Sequence, residues 1–474
     1  MSVPTDCPQR DERLGWMGDA GLSSQVMSLN FDISAFQKAY LDLIADEQTP
    51  DGELTEVVPY YRYGTLPPDP SWTNAFPTLI WTRMKFDNDM TPYTKHKNRL
   101  KLYLEHLYSI YQTKGGHLMY MEDWGNYGDW VPVAEDQKPK VGYTSVVSWI
   151  DSLMKSLDLA VQARDLENAV IYQRNASRLV REFVETYYNP KTSLFENGGQ
   201  TAQSKAIELG FFNKTMQQKL ADKLANRVVD ADGLTLTSGI IGIKSIFTSL
   251  ESYGYGKLAL ALLKGDGSHP GYGYMINNTQ EPATSNMWEL WESDVKGPDM
   301  NSRNHHMFAS VGTFLYDVAG LSRTQKFGLV DSEKFPLPFV VGGCCGGLDF
   351  ASLRTKVSNG EIGFAWDLSL TNQSLFNVTL PTGSSAEVIV PVRGPVPSRI
   401  RIKESDALIF SGRLYSKKHL IKSASVPGIK SIRYNSKEKT IRIQVKSGDF
   451  RFSIVESEES LKGFGGARPQ VESF

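Results

Sequence analysis

The chain has 474 residues, of which 41% are hydrophobic, 22% charged and 11% aromatic, with 51 Lys and Arg against 53 Asp and Glu. That length exceeds one ordinary compact domain, and the composition supplies a large core. A net charge of −2 with no polybasic run argues against nucleic acid and membrane surfaces as partners and fits a neutral substrate.

The first element is the stretch "TDCPQRDERLGWMGDA" from Thr5 to Ala20, which sets Asp6, Asp11, Glu12 and Asp19 beside two arginines and Trp16. Helical periodicity follows. Phe36, Tyr40, Leu43 and Ile44 share one face, as do Leu100, Leu104, Leu107 and Tyr111. Ile150, Met154, Leu157 and Val161 repeat the spacing, as do Tyr172, Leu179, Phe183 and Tyr187. Met216 to Val228 reads as another amphipathic helix, and His305 to Leu321 as a buried one ending near Gly320. Between them lie loops rich in aromatics and glycine, such as "MEDWGNYGDWVPVAED". Stacked helical hairpins closing into an α/α toroid, with loops converging on a central pocket, are the expected architecture for residues 1–325.

Beyond Phe335 the pattern changes. "IGFAWDLSL", "SLFNVTLPTG", "AEVIVPV", "ALIFSG", "KTIRIQV" and "FRFSIVES" read as short strands, with Ile441, Ile443 and Val445 on one face. A small antiparallel β-sandwich is expected over residues 326–474, reached through the connector "LSRTQKFGLVDSEKFPLPF".

Cys7, Cys344 and Cys345 form no zinc or disulfide spacing, and an acid–base carboxylate site needs neither metal nor cofactor, so none is expected. No apolar run is long enough to span a bilayer, no signal peptide precedes the opening motif, and five N-x-[ST] sequons favour export only slightly. Localisation and oligomeric state stay open.

Two clusters point to chemistry: the opening stretch, and "NMWELWESD" with "NSRNHHMF" after it. Each sets a glutamate near tryptophan, Glu12 before Trp16 and Glu289 between Trp288 and Trp291. Glycoside hydrolysis needs two carboxyl groups, one protonated beside the leaving oxygen and one ionised. Sugar C–H faces are apolar and take aromatic contact, while sugar hydroxyls need charged or amide partners. Each cluster also has a plainer reading. "DERLG" alone is more often a solvated surface turn, "WELWES" an amphipathic helix with its tryptophans in the core, and His305 a structural hydrogen-bonder.

The opening stretch resembles the signature of the α-L-rhamnosidases of glycoside hydrolase family 78. "DPSWTNAFPTLIW", "YGDWVP", "ATSNMWELW" and "NHHMFASVGTFLYDVAGL" are similar to further segments of that family, in its order, and "GEIGFAWDL" and "FNVTLPTGSSAEVIVPV" resemble its C-terminal sandwich. The resemblance implies a six-hairpin (α/α)6 barrel acting on terminal α-L-rhamnose of a glycoside or polysaccharide by inversion. It implies Glu12 as general acid, Glu289 as general base, and Asp6, Arg10, Trp16, Asp19, Trp72, Asp129, Trp130 and His305 as substrate contacts. Asn74 departs from the family pattern and is expected to alter substrate contacts; Ala309 replaces a usual glycine. The β-rich domains that family members carry ahead of the barrel are missing, which suggests a truncated or compact variant. The competing expectations are a related α/α-barrel glycosidase or lyase on another sugar, and an inactive sugar-binding fragment.

Overall fold

The computed structural model describes residues 3–10, 12–61, 64, 67–277, 286–295, 302–322, 339–342, 348–357, 360–392, 399–413, 420–421, 426–436 and 439–457. Asp11, Asn301, Cys344, Cys345, residues 283–285 of the "ATSNMWELW" segment and most of the expected connector lie outside them.

The helices fall into two kinds, and their burial tells them apart. One kind is covered on nearly every side: α1 (Met17–Asn30), α4 (Ala75–Asp87), α6 (Val141–Gln162), α8 (Gln200–Glu208) and α10 (Ile240–Ser252). Every residue of α4 from Ala75 to Met84 is buried. The other kind carries a single apolar stripe: α2 (Ser34–Glu47), α5 (Thr91–Thr113), α7 (Leu166–Tyr187), α9 (Lys214–Asn226) and α11 (Gly256–Lys264). An element buried all round belongs inside, and one with a stripe belongs outside. The packing agrees. α1 lies against α4, α4 against α6, α6 against α8, α8 against α10, and α10 against a 3₁₀ turn, Met307–Val311, which returns to α1. α2, α5, α7, α9 and α11 each pack on one or more of these inner helices. The turn α3 (Pro70–Thr73) and the short α12 (Tyr272–Asn277) sit in the connections, and α13 (Gly312–Ala319) continues the 3₁₀ turn.

The expected helix over His305–Leu321 is thus two pieces. It does end at Gly320, whose φ of 102° makes the left-handed cap that glycine adopts without a Cβ clash. Large aromatics fill the shared core, among them Tyr40, Phe76, Trp124, Trp149, Phe183 and Trp288. Fully burying a side chain such as Phe76 is worth roughly 1.5–3 kcal/mol.

A small hairpin, β1 (Tyr188–Asn189) with β2 (Leu194–Phe195), closes the end of α7. The other strands begin after α13: β3 (Leu321–Ser322), β4 (Phe339–Gly342), β5 (Phe350–Val357), β6 (Gly360–Asp367), β7 (Gln373–Pro391), β8 (Arg399–Glu404), β9 (Ala407–Arg413), β10 (Leu420–Ile421), β11 (Ile429–Asn435) and β12 (Thr440–Ser457). They form one hydrogen-bonded sheet that is antiparallel except where β4 runs parallel to β7. Two expected pairs of strands are each a single long strand. "SLFNVTLPTG" and "AEVIVPV" are both in β7, and "KTIRIQV" and "FRFSIVES" are both in β12. β7 and β12 pair along their length, with a register shift between Lys446 and Gly448. A bulge there bends the pair without ending it, so the turn residues mark a kink, not a chain reversal. Ile441, Ile443 and Val445 share a buried face, in a second core separate from that of the helices. The sheet meets the helices through Trp366, whose indole donates to the Ala319 carbonyl at 3.0 Å, and Thr355, whose hydroxyl donates to the Leu29 carbonyl at 2.6 Å. No helix among the described residues is long and apolar enough to cross a membrane.

Candidate active site

The opening stretch forms a closed loop ahead of α1. The Asp6 N–H donates to the Leu14 carbonyl and the Leu14 N–H to Asp6 Oδ1, both at 3.0 Å, so one aspartate ties the two ends together. Arg13 takes a left-handed φ of 46°, a conformation costly for a residue with a Cβ, and its guanidinium donates back to the Arg10 carbonyl at 2.7 Å. The chain then runs beside residues 56–58, with Met17 N–H on the Glu56 carbonyl and Val58 N–H on that of Gly15. A Cβ at Gly15 would stand 2.1 Å from the Val58 carbonyl oxygen, so only glycine permits this approach.

A second segment comes from the far end of the helical region. Glu289 N–H donates to the Ser302 carbonyl at 2.7 Å, and His305 N–H to that of Met287 at 2.9 Å. Trp288 and Trp291 belong to the core, Trp291 packing on Phe308 with ring centroids 4.0 Å apart. The plainer reading of "WELW" therefore holds for its tryptophans, on a turn instead of a helix, while Glu289 between them faces the opening loop.

The two segments meet at Arg10. Its Nη1 lies 3.1 Å from Glu289 Oε2 and its Nη2 3.9 Å from Glu12 Oε2. Gln9 Nε2 adds a bond of 2.6 Å to Ser302 Oγ. Glu12 Oε1 accepts from the Trp16 indole at 2.7 Å, which fixes the carboxyl group's direction. Glu289 Oε2 accepts from Ser302 N–H at 2.9 Å; burial pushes its pKa up, against the nearby charges of His305 and Arg10.

Asp19, in the first turn of α1, pairs with His305 Nε2 at 2.7 Å. Burial alone would raise the Asp19 pKa, but the histidine outweighs it and holds the carboxyl below its usual range. Burial alone would lower the His305 pKa, but Asp19 and Glu289 raise it, which favours the imidazolium. His305 Nδ1 then stands 3.7 Å from Glu289 Oε2, with no hydrogen bond of its own among the described residues. His306 behaves oppositely: burial lowers its pKa, and Nδ1 meets Ser23 Oγ at 2.6 Å.

Of the expected contacts, Asp6, Arg10, Trp16, Asp19 and His305 gather with Glu12 and Glu289. Trp16 and Trp130 are partly exposed and both meet the ring of Tyr127 edge-on at 5.9 Å. Trp72 lies behind them, 3% exposed, its ring 4.4 Å from that of Tyr127. It rests on α1, where a Cβ at Gly18 would fall 2.7 Å from the indole nitrogen.

Asp129 is engaged elsewhere. Its carboxylate accepts from the N–H groups of Gly239, Ile241 and Gly242 at 2.8, 2.8 and 3.2 Å and from the Thr201 hydroxyl. Four donors occupy the capacity of a carboxylate, so Asp129 caps the start of α10 and has nothing left for a sugar hydroxyl. Asn74 likewise faces α6, donating to Asp151 Oδ2 at 2.9 Å and accepting from Ser152 at 2.8 Å.

Three residues of the site escaped the sequence reading. Tyr127 is the ring on which three tryptophans converge. Buried Glu56 accepts from its hydroxyl at 2.9 Å and from Asp69 N–H. Asp69 caps α3 and takes the N–H groups of Asn126 and Tyr127 at 2.7 and 2.9 Å, so it holds the aromatic loop in place. Asp before Pro at a helix start was a readable signal for Asp69; for Glu56 there was none. Donor atoms of Asp6, Cys7 and Glu12 converge within 4.8 Å. The Cys7 thiol donates to Asp6 Oδ2 at 2.7 Å and burial pushes its pKa up, so the thiol keeps its proton and suits a cation poorly.

With this geometry in hand, comparison places the chain. Residues 1–319 match the family described as the bacterial alpha-L-rhamnosidase six-hairpin glycosidase domain. The chain belongs to that family. An alpha-L-rhamnosidase of Streptomyces avermitilis is 26% identical over 405 residues, covering 83% of this chain and 36% of that protein. One from Alteromonas sp. is 25% identical over 426 residues, covering 87% and 44%. Among solved structures, the alpha-L-rhamnosidase from Dictyoglumus thermophilum superposes with a TM-score of 0.79 at 28% identity, over 96% of this chain and 47% of that one. The Streptomyces avermitilis enzyme complexed with L-rhamnose gives 0.77 at 22% identity, over 96% and 39%, a likeness of fold. The chain spans less than half the length of these curated relatives. The six-hairpin family accounts for the two kinds of helix, and the sheet region falls within the span of both superpositions.

Proposed function

We propose that the chain hydrolyses α-L-rhamnosides, releasing terminal rhamnose with inversion. The observation that carries this reading is the Arg10 bridge: one guanidinium spans Glu12 and Glu289, residues from opposite ends of the helical region. The bridge caps the separation of the facing carboxylate oxygens at roughly 9 Å, which admits the ~6.5–9.5 Å gap an inverting pair needs for its water. Glu12 on the more exposed side is the general acid, directed by Trp16. Glu289, recessed and held by Ser302, is the general base. Asp6, Arg10, Asp19 and protonated His305 bind hydroxyls, while Trp16, Tyr127 and Trp130 offer ring surface and Trp72 supports them. His305 also opposes burial at Glu289 and so favours its ionised, basic form.

The reading extends to the architecture. The inner helices close into an (α/α)6 toroid whose loops carry the site, spanning residues 1–325. Residues 326–474 form a β-sandwich in which the bent pair β7–β12 serves both layers. The substrate is a rhamnose-terminated glycoside or polysaccharide, as the named relatives suggest. Hydrolysis of p-nitrophenyl α-L-rhamnoside, with the anomer of the released sugar followed by NMR, tests this. Turnover giving first the β-anomer supports it; a retained anomer or no turnover by folded protein refutes the mechanism or the activity.

A further inference from the structure

The outer helices α5 and α7 both pack on α6 and are tied to each other at two levels. At one, the Tyr93 hydroxyl donates to Oδ2 of Asp165, the N-cap of α7, at 3.2 Å. At the other, Arg178 Nη1 donates to the Tyr108 hydroxyl at 2.7 Å, and the Tyr111 hydroxyl to Glu182 Oε2 at 2.8 Å. Between these ties the two helices line a cavity of about 380 Å³, a size that suits a small-molecule site. Leu104 of α5, Ile171 of α7 and the Tyr108 ring give it apolar walls. Glu105 and Arg174, one from each helix, stand exposed, while Asn175 and Arg178 are half-buried.

Two features mark it as built for an occupant. The Arg178 guanidinium is fixed in place, 5.1 Å from the Tyr108 ring centroid and 4.9 Å from that of Tyr111, and its five N–H groups exceed what the tyrosine hydroxyls can accept. Tyr172 also lines the cavity. It is 1% exposed, its hydroxyl has no hydrogen bond among the described residues, and burial pushes its pKa up, so it remains a donor. A buried hydroxyl left unpaired is a cost that a ligand's polar group removes.

The polar groups decide what that ligand is. Arg174 and Arg178 donate, Glu105 accepts, and the Asn175 amide does both. Lys101 lines the cavity too, but Glu167 stands 3.9 Å from its ammonium. A simple anion would face Glu105, a cation would face the arginines, and an apolar molecule would strand both. A neutral polyol satisfies all of them, because each hydroxyl donates and accepts while its C–H face lies on the apolar walls. We infer that the α5–α7 cavity is a second, non-catalytic carbohydrate site that holds a sugar unit of a neutral glycan. Assigning that glycan to the substrate rests on the function proposed above, and it makes the substrate a polymer anchored away from Glu12 and Glu289.

Affinity electrophoresis of the whole chain through gels containing neutral rhamnan, a polymer of L-rhamnose, reads binding without turnover. Wild type should be retarded, and Arg178→Ala should weaken the apparent Kd about tenfold. If that variant does not fold, Arg174→Ala with Asn175→Ala decides, since alanine suits both helical positions. Either variant should raise KM for rhamnan about fivefold, through loss of the anchor, and leave kcat/KM for p-nitrophenyl α-L-rhamnoside unchanged within twofold. Equal retardation of wild type and variant, or none of either, overturns the site. Retardation by polygalacturonate in place of rhamnan overturns it in favour of an anion site, and an equal loss on the aryl rhamnoside overturns it in favour of a role in the fold. Variant-sensitive retardation by rhamnan in a chain that turns over no rhamnoside upholds the site while sinking the proposed hydrolysis.

Discussion

The loop from Thr5 to Trp16 and the loop from Trp124 to Trp130 use the same residue types in opposite ways. Both set acidic residues beside tryptophan, and both face the same cluster of rings. In the first, Glu12 has one indole donor and a distant arginine, and so keeps acceptor capacity. In the second, Asp129 is saturated by three backbone N–H groups and a hydroxyl, and it anchors a helix. The number of donors a carboxylate already satisfies separates a reactive group from a structural one, and residue type does not reveal that number.

The sharpest way to break the comparison is to neutralise the acids. Glu12→Gln and Glu289→Gln should each lower kcat for an aryl rhamnoside by about 10²–10⁴-fold with the folded state intact. An effect below tenfold in either would remove that residue from the chemistry. Asp129→Asn should do the reverse. Losing a charged acceptor at a buried helix start should cost about 3 kcal/mol in denaturant unfolding, with kcat per folded molecule unchanged within a few-fold. Lost turnover at unchanged stability would return Asp129 to the substrate.

The pH profile gives a finer distinction. Burial raises the Glu289 pKa above the ordinary value of 4.5. A general base fails when it takes up its proton, so kcat/KM should fall as pH drops through a limb lying above 4.5. Arg10 lowers this pKa, so Arg10→Gln should move the limb upward. A limb that stays put or moves down would mean that Glu289 is not the group being titrated. The smallest effect belongs to Tyr127→Phe. Removing its bond to Glu56 should cost about 1 kcal/mol of stability while the ring contacts with Trp16, Trp72 and Trp130 persist.

The helices were readable because apolar periodicity reports burial, and the outer ones with one stripe were the clearest. The inner ones were harder: α1 and α4 are buried on most faces and show little alternation between faces. Strand content was legible too, but a turn signal at Gly383 or Gly448 looks the same whether the chain reverses or only bends, so β7 and β12 each read as two. At the site, the resemblance named residues that the structure does bring together around Arg10. It did not reveal Glu56 or the role of Tyr127, because a carboxylate that holds a ring in place carries no local pattern. The hold of Asp129 on the start of α10 was illegible for the complementary reason, since its partners lie 72 to 113 residues away in sequence.

The contact between Gly18 and Trp72 reaches further than one helix crossing. The indole lies where any side chain at position 18 would stand, Tyr127 lies on the indole, and Trp16 and Trp130 stand edge-on to Tyr127. The spacing of that wall is thus set by a backbone, as by a shim. A single methyl group at position 18, touching no sugar, would be passed from ring to ring and would change the gauge of the opening.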